Sequence, residues 1–513
     1  MYRVYPSAMG NLRLWSVEPA RVEYSIESGH GEKGMKHKSL RQLFVFGNEI
    51  FMSEKYALTA AQNMHYRWIR EYKTQQVSGL SIVAAFQFDV NVNTLKKCIE
   101  LEKQRYSCLR LRFTEPDENG EIQQYIADYE PEDIEEIDLT GMSLQEADDI
   151  MQKWAYQTFD GDNIPMCEFR IVRLPERYTG FFVHMDHRLN DSVGVAVMAT
   201  DIMNLYQHFT MGKPYPAPLA DFEKVLVSDL ERASNAKRLA RAKRFWDSQL
   251  DEYGEPLYSD IQGPSVLEKA RKKHNDPNLR AADIERKELF VAVKDYQLEV
   301  DSMQKAINFC LYNQISPTNL ILLVIRTYLS KMNDRQEDIT IENFVSRRST
   351  QDEMTSGGSR VLCFPCRTVI SGDTTFIDAA RKIQNHQNNI YMFSGYDPEF
   401  IREEMKKRYN TPDDTTYVSV YLTYQPPMNT SDLDPNSQKL RTHIKWFANG
   451  AATKKMYLTV SHLPDRKLNF SYHYQTAELT EKDAELMYYY MMRILFRGIE
   501  DPGRTIDEII DMV

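Results

Sequence analysis

Apolar segments of strand length alternate with amphipathic segments of helix length through both halves of the chain. A polar stretch at 251–285 stands between the halves. This alternation excludes a pure helical bundle and a pure β-sandwich, and it asks for sheets with helices packed on them. In the first half, YALTAAQNMHYRWIREY (56–72) is predicted helical with Thr59 as N-cap, and GLSIVAAFQFDV (79–90) is predicted as a strand. EFRIVRL (168–174) and GFFVHMDH (180–187) are further strands, and VGVAVMATDIMNLYQHF (193–209) is a helix. The segment 221–250 reads as one long charged helix. In the second half, ELFVAV (288–293), ITIENFV (339–345), VLCFPCRTVI (361–370), TYVSVYLTY (416–424), MYLTVSHL (456–463) and KLNFSYHY (467–474) read as strands. Helical segments reach to Met332 and cover 375–393 and 481–499. The expected organisation is an α/β protein with a 1–54 N-terminal extension, a 55–250 lobe, a 251–285 linker and a 286–513 lobe, with a site where the lobes meet.

Charge narrows the function. With 63 basic and 74 acidic residues the chain carries a net −11, which argues against nucleic acid as the main partner. The run Lys237-Arg238-Leu239-Ala240-Arg241-Ala242-Lys243-Arg244 reads as a solvated helix face, or as a docking patch for an acidic partner. Six cysteines form no disulfide framework, and the Cys363-Phe-Pro-Cys366 spacing stands alone in a strand-like segment, so no metal site is expected. The first residues lack the apolar core of a signal peptide, and the longest plain apolar run, LILLVI at 320–325, is too short to span a bilayer. A cytoplasmic protein without a membrane partner is expected.

The stretch FFVHMDHRLNDSVG (181–194) gathers two histidines and two aspartates at a strand end. Alternation along a strand sends 184 and 186 to one face and 185 and 187 to the other, so the group diverges and is a poor metal cage. Two readings remain from the residues alone. His187 is an acid–base group at the mouth of a cleft, or a satisfied histidine beside Asp191 as a helix N-cap.

The segment Met185-Asp186-His187-Arg188-Leu189-Asn190-Asp191-Ser192 resembles the HHxxxDG signature of condensation domains of nonribosomal peptide synthetases and of the wider chloramphenicol-acetyltransferase-like acyltransferases. LTAAQNMHYRW (58–68) is similar to the family's opening motif, and RYSCLRLRF (105–113) resembles RHxxLRTxF. YPAPLADFEKVL followed by Trp246 is similar to the YxDFAxW region. ENFVSRR (342–348) and VLCFPCRTVI resemble the GTPxxxR and FVNTLPLR segments, with Pro365 and Arg367 in place. The resemblance spans about 55–510.

The resemblance implies two chloramphenicol-acetyltransferase-like lobes forming a V with a central tunnel. It implies an acyl or aminoacyl donor held as a thioester on the phosphopantetheine of an acyl or peptidyl carrier protein, and an amine or hydroxyl acceptor. No cofactor is bound by the chain itself. His187 would serve as general base or orient the acceptor. Asp191 would be structural, bridging to Arg348, with Arg347 the alternative. A backbone N–H after Asp191 would stabilise the oxyanion. Asp186 stands where the family has its first histidine, and Ser192 where it has glycine. Asp186 and Asp191 also reproduce the DxxxxD spacing of heterocyclisation domains, although those lack the central histidine as a signature. The expected function is a freestanding condensation enzyme. A heterocyclisation-type domain and a catalytically silent, carrier-binding descendant are the alternatives.

Overall fold

The strand Thr179–Asp186 is buried along almost its whole length because both of its faces are covered. Phe181, Val183 and Met185 enter a core with the helices Val92–Arg105 and Ser192–Met211, while Phe182 joins a second cluster with Met151, Ala155 and Phe447. A strand covered on both sides needs apolar residues in succession, which is how this one reads in the sequence. The computed structural model describes residues 41–46, 49–426, 441–463 and 465–513. The stretch ESGHGEKGMKHKS (27–39), polar and with three glycines, reads in the sequence as a loop and lies outside the described residues.

Two principal sheets organise the chain. The first has five strands in the order Thr442–Phe447, Gly79–Phe86, Thr179–Asp186, Cys167–Arg173, Glu135–Asp138. Only its last pair is parallel. The second has six strands in the order Val291–Leu298, Leu468–Gln475, Met456–His462, Val420–Gln425, Asp338–Ser346, Val361–Val369. Its Val420–Gln425 strand runs parallel to both of its neighbours.

The two faces of the second sheet differ. Ile339, Ile341, Leu362, Phe364, Val420, Leu422, Met456, Leu458, Phe470 and Tyr472 enter the largest core with the helices Pro317–Met332, Phe376–Phe393 and Glu481–Glu500. The alternate residues include Thr340, Glu342, Phe344, Cys363, Arg367, Tyr421, Tyr457 and His473, and strand alternation turns them together to the opposite face.

Several elements depart from expectation. The 221–250 helix is two helices, Phe222–Ala233 and Ala236–Tyr253, because Asn235 leaves the helix and caps the second one by accepting from the Arg238 N–H at 3.1 Å. The helical stretch ending at Met332 breaks at Gln314 (φ 57°), and Ser316 with Pro317 starts a new helix. The segment 251–285 is folded: it carries the helix Ser265–His274, and Tyr258, Leu267, Ala270, Leu279, Ala281 and Ala282 form a small core with Tyr417 and Val418. Within 1–54, the strands Arg41–Phe46 and Glu49–Glu54 pair as an antiparallel hairpin. The edge strand Thr442–Phe447 lies between second-sheet strands in sequence yet pairs with Gly79–Phe86 of the first sheet, so the lobes interleave along the chain.

Cys363 and Cys366 are both buried in one strand, and three residues of separation send them to opposite faces. The basic run lies on the Ala236–Tyr253 helix, where Ala242 is buried and Lys237, Arg238, Arg241, Lys243 and Arg244 are exposed. No helix among the described residues is long and apolar enough to cross a membrane.

Candidate active site

The loop after Thr179–Asp186 places four charged or titratable side chains within six residues, and the structure gives each a different task. Asp186 ends the strand and turns inward. Its Oδ1 accepts from the Arg188 backbone N–H at 2.8 Å, from Arg188 Nε at 2.9 Å and from Ser78 Oγ at 3.1 Å, while Oδ2 accepts from Arg188 Nη2 at 3.0 Å. Both partners are buried, and the guanidinium lies 4.3 Å from the centroid of Phe113. The carboxylate at the position of the first signature histidine is therefore neutralised by its near neighbour, a bidentate pairing that suits arginine.

Asp191 is the N-cap of the Ser192–Met211 helix. Its Oδ1 accepts from the Val193 and Gly194 N–H groups at 3.2 and 3.1 Å. Its Oδ2 accepts from Arg348 Nη1 at 2.7 Å and from the Arg360 N–H at 2.9 Å. Both side chains of the Asp191–Arg348 pair are 1% exposed. Burial pushes the Asp191 carboxyl upward, but Arg348 and the backbone donors outweigh it and hold it below the usual range. Arg347 does not reach Asp191 within ion-pair distance; its carbonyl accepts from Arg360 Nη2 at 3.4 Å. The Asp191 contacts join the lobes, and Asn190 bridges Gly358 of the second lobe beside them.

His184 is fully occupied: Nδ1 sits 2.7 Å from Ser81 Oγ, Nε2 sits 3.0 Å from the Gln157 carbonyl, and the ring stacks on Phe159. His187 is different. Its backbone N–H donates to the Ser78 carbonyl at 2.7 Å, which fixes the loop. Its Nδ1 is sealed from solvent without a partner of hydrogen-bond geometry, although the residue's own carbonyl lies close enough to favour a proton on the ring. The residue as a whole is only half-buried. Burial lowers its pKa, and that effect outweighs the attraction of Asp191. Burial thus favours the neutral imidazole, and with Nδ1 sealed, Nε2 is the ring nitrogen that can meet a substrate.

His65, from the helix Ala60–Tyr72, stacks on His187 with centroids 4.2 Å apart and planes at 20°. Burial and the neighbouring His187 keep it neutral, far below the usual histidine range. Trp68 meets His65 edge-on at 5.1 Å, and Lys454 Nζ lies 4.0 Å from the centroid of Trp68. These rings lead from His187 to a cavity between the lobes, lined by Trp68 and Tyr72 on one side and by Arg402, Tyr421 and Lys454 on the other. Sequence reasoning missed His65 and Lys454. His65 lies on the buried face of an amphipathic helix with Ala61 and Met64, and that was its available signal.

Ser192 is the first residue of its helix. It is absent from the positive-φ positions, so the backbone there does not require glycine. Its backbone N–H makes no hydrogen bond within the described structure, whereas Val193, Gly194 and Val195 all donate to Asp191. A Cβ at Gly194 would sit 1.7 Å from Asn190 Oδ1, so any larger residue there would displace the Asn190 side chain.

The model of the condensation domain family matches residues 52–512. Surfactin synthase subunit 1 of Bacillus subtilis (strain 168) is 23% identical over 470 residues, covering 88% of this chain and 12% of the relative. A plipastatin synthase chain of the same strain is 21% identical over 466 residues, covering 89% of this chain and 17% of that protein. The chain therefore spans under a fifth of the length of either relative. Among solved structures, the first condensation domain of the calcium-dependent antibiotic synthetase, in complex with a substrate analogue, superposes with a TM-score of 0.72 at 14% identity, covering 88% of this chain and 99% of that one. The NRPS condensation enzyme VibH superposes with a TM-score of 0.67 at 14% identity, covering 87% and 99%. The fold is that of these condensation domains.

Proposed function

This chain belongs to the condensation-domain family, and we propose that it transfers an acyl or aminoacyl group from a carrier-bound phosphopantetheine thioester to an amine or hydroxyl acceptor. The observation that carries this reading is the contrast between His187 and the carboxylates around it. Asp186 and Asp191 are each paired with an arginine, whereas the half-buried, neutral His187 has no hydrogen-bonded partner on its ring.

In the proposed reaction the acceptor N–H or O–H presents its proton to Nε2 of His187 as its heteroatom attacks the thioester carbonyl carbon. The carbonyl becomes an oxyanion, for which the Ser192 N–H at the helix N-terminus is the available backbone donor. The carbon–sulfur bond then breaks, the pantetheine thiolate leaves, and the proton on His187 passes to the sulfur. Proton transfer of this kind contributes about 10²–10⁴-fold, and positioning supplies much of the remainder.

The DxxxxD reading is disfavoured by the same contacts, since neither Asp186 nor Asp191 has a free carboxylate to offer. The test is an acyl-loaded carrier incubated with panels of amines and alcohols, with products followed by mass spectrometry. His187→Ala is expected to lose about 10²-fold or more in turnover. Equal turnover by wild type and variant removes His187 from the chemistry. Binding of the loaded carrier without product from any acceptor favours a silent carrier-binding domain.

A further inference from the structure

Lys454 stands out among the charged groups of the interlobe cavity. Its Nζ is surrounded by four aromatic rings, with Trp68 at 4.0 Å, Phe344 at 5.5 Å, and Tyr421 and Tyr457 at 5.6 Å from their centroids. It donates to Thr453 Oγ1 at 2.9 Å, which uses one of its three N–H groups. Among the described residues no carboxylate lies within 4.0 Å of it. By contrast, its neighbour Lys455 reaches Asp260 at 2.8 Å, and Arg402 reaches Glu399 at 3.0 Å. Lys454 is nevertheless only half-buried, because it opens on the cavity.

From this geometry we infer that Lys454 binds a free carboxylate carried by one of the two substrates. The inference rests on the acyl-transfer reading for the identity of those substrates. An aromatic cage holds an ammonium in place and strips it of water, but offers no counter-charge. A carboxylate arriving from the cavity supplies that charge and accepts the remaining donors. A dianion such as a phosphate fits less well, because Glu399 lines the same cavity beside Arg402, and Glu342 lines the adjoining pocket that Arg402 also borders. Glu342 itself is buried, and its Oε2 lacks a hydrogen-bond partner. Burial lowers the Lys454 pKa to about 8, with Glu342 favouring its charge and Arg402 opposing it, so the ammonium is the main form at neutral pH. Trp68 links Lys454, 4.0 Å from its centroid, to His65, which stacks on His187, so the cage and the reacting centre are joined by one short chain of rings.

The carboxylate belongs to the acceptor or to the far end of the acyl group, and matched pairs separate these sources. One arm compares acceptors that carry a carboxylate with the corresponding primary amides. The other compares carrier-loaded dicarboxylic acyl groups with their monoacid analogues. In the arm that holds the true source, wild type prefers the carboxylate. Lys454→Met, whose thioether suits an aromatic cage, is expected to reduce that preference in kcat/KM by roughly tenfold or more, the size of one charge-assisted hydrogen bond. Lys454→Arg is expected to retain part of it. A preference ratio unchanged by Lys454→Met in both arms overturns the inference. Saturation-transfer NMR of the acceptors and of the free dicarboxylic acids with unloaded protein reads the site without turnover. Carboxylate binding that is lost in Lys454→Met supports the inference even if no product ever forms, and equal binding by the variant overturns it.

Discussion

His65 and His187 lie ring on ring, 4.2 Å between centroids, although 122 positions separate them in the chain (187 minus 65). The stack covers one face of the His187 ring with a second imidazole that is itself kept neutral by burial. This arrangement sets a pH dependence. A base that must be neutral, with a pKa lowered from 6.5, works further into acid than an ordinary histidine. The acid limb of kcat/KM, measured with uncharged substrates, is therefore expected below about pH 6.5. His65→Phe keeps the stack and keeps the limb low. His65→Ala admits water beside His187, moves the limb up toward the ordinary value and lowers kcat by about tenfold or more through lost positioning. A limb at the ordinary value in wild type, or unmoved in His65→Ala, would refute this role for the stack.

The Asp191–Arg348 pair yields a stability prediction. Asparagine is as good an N-cap as aspartate, so Asp191→Asn keeps the Ser192–Met211 helix capped and removes only the charge. Arg348 is then left buried without its counter-ion, at a cost of about 3–5 kcal/mol. Arg348→Met is expected to cost a similar amount, and the double variant less than the sum of the two, because the pair is lost together. Denaturant unfolding checks this. Additive losses in the double variant would show that the two residues act independently. The folded-state pKa of Asp191 is depressed, so its contribution is complete at neutral pH and is lost as pH falls through that lowered value.

Asp186→His, which restores the residue usual at that position, is expected to weaken the protein. Arg188 would lose both carboxylate oxygens while remaining 4% exposed, so a loss of about 3–5 kcal/mol is expected in unfolding experiments. Turnover is not expected to rise, because Asp186 faces away from His187 and contributes only a minor attraction to its proton. A variant that is both as stable as wild type and faster would mean that the aspartate is a defect and not a structural part.

Ser192→Gly tests the other departure in the signature. Because Ser192 does not occupy positive φ, glycine gains nothing there and adds freedom to the unfolded chain. A loss of about 0.5–1 kcal/mol in stability is expected. Turnover is expected to stay within about twofold, since the same backbone N–H remains. A gain of tenfold or more would show that the serine side chain obstructs the site.

Much of the site was legible where the chemistry is local. His187, Asp191 and Ser192 lie within six residues, and the divergence of 184 and 187 follows from strand geometry alone. Arg348 required the family resemblance, because nothing in its own surroundings points to a residue 157 positions away. His65 and Lys454 were not singled out, since they meet the site only through ring contacts between segments far apart in the chain. The fold shows the same division. Long apolar strands such as Thr179–Asp186 announce themselves, whereas Thr442–Phe447 is short, polar at alternate positions and paired with the distant strand Gly79–Phe86. Helix breaks at Asn235 and Gln314 turn on one cap or one left-handed residue, which a periodicity argument passes over. The 251–285 segment is polar in composition, yet its few apolar residues are the ones that make its core.

Gly358 closes the interlobe contact that supports the loop carrying His187 and Asp191. Its φ is +82°, and a Cβ would sit 2.2 Å from Phe222. Its carbonyl accepts from Arg348 Nη2 at 3.0 Å, and its backbone bridges Asn190, the residue before Asp191. Alanine there meets both penalties: about 1–3 kcal/mol for a left-handed non-glycine backbone, and further strain as Phe222 or the loop gives way. Because the loop also carries the Arg360 N–H that binds Asp191, displacement is expected to reach His187. Gly358→Ala is therefore expected to lower both the unfolding midpoint and kcat, while Gly212→Ala serves as a control. Gly212 also has positive φ (+68°), but nothing lies within 4 Å of its would-be Cβ, so its substitution should cost stability through backbone strain alone and leave kcat unchanged. Equal effects of the two substitutions on kcat would show that backbone strain, and not the interlobe contact, is what Gly358 provides.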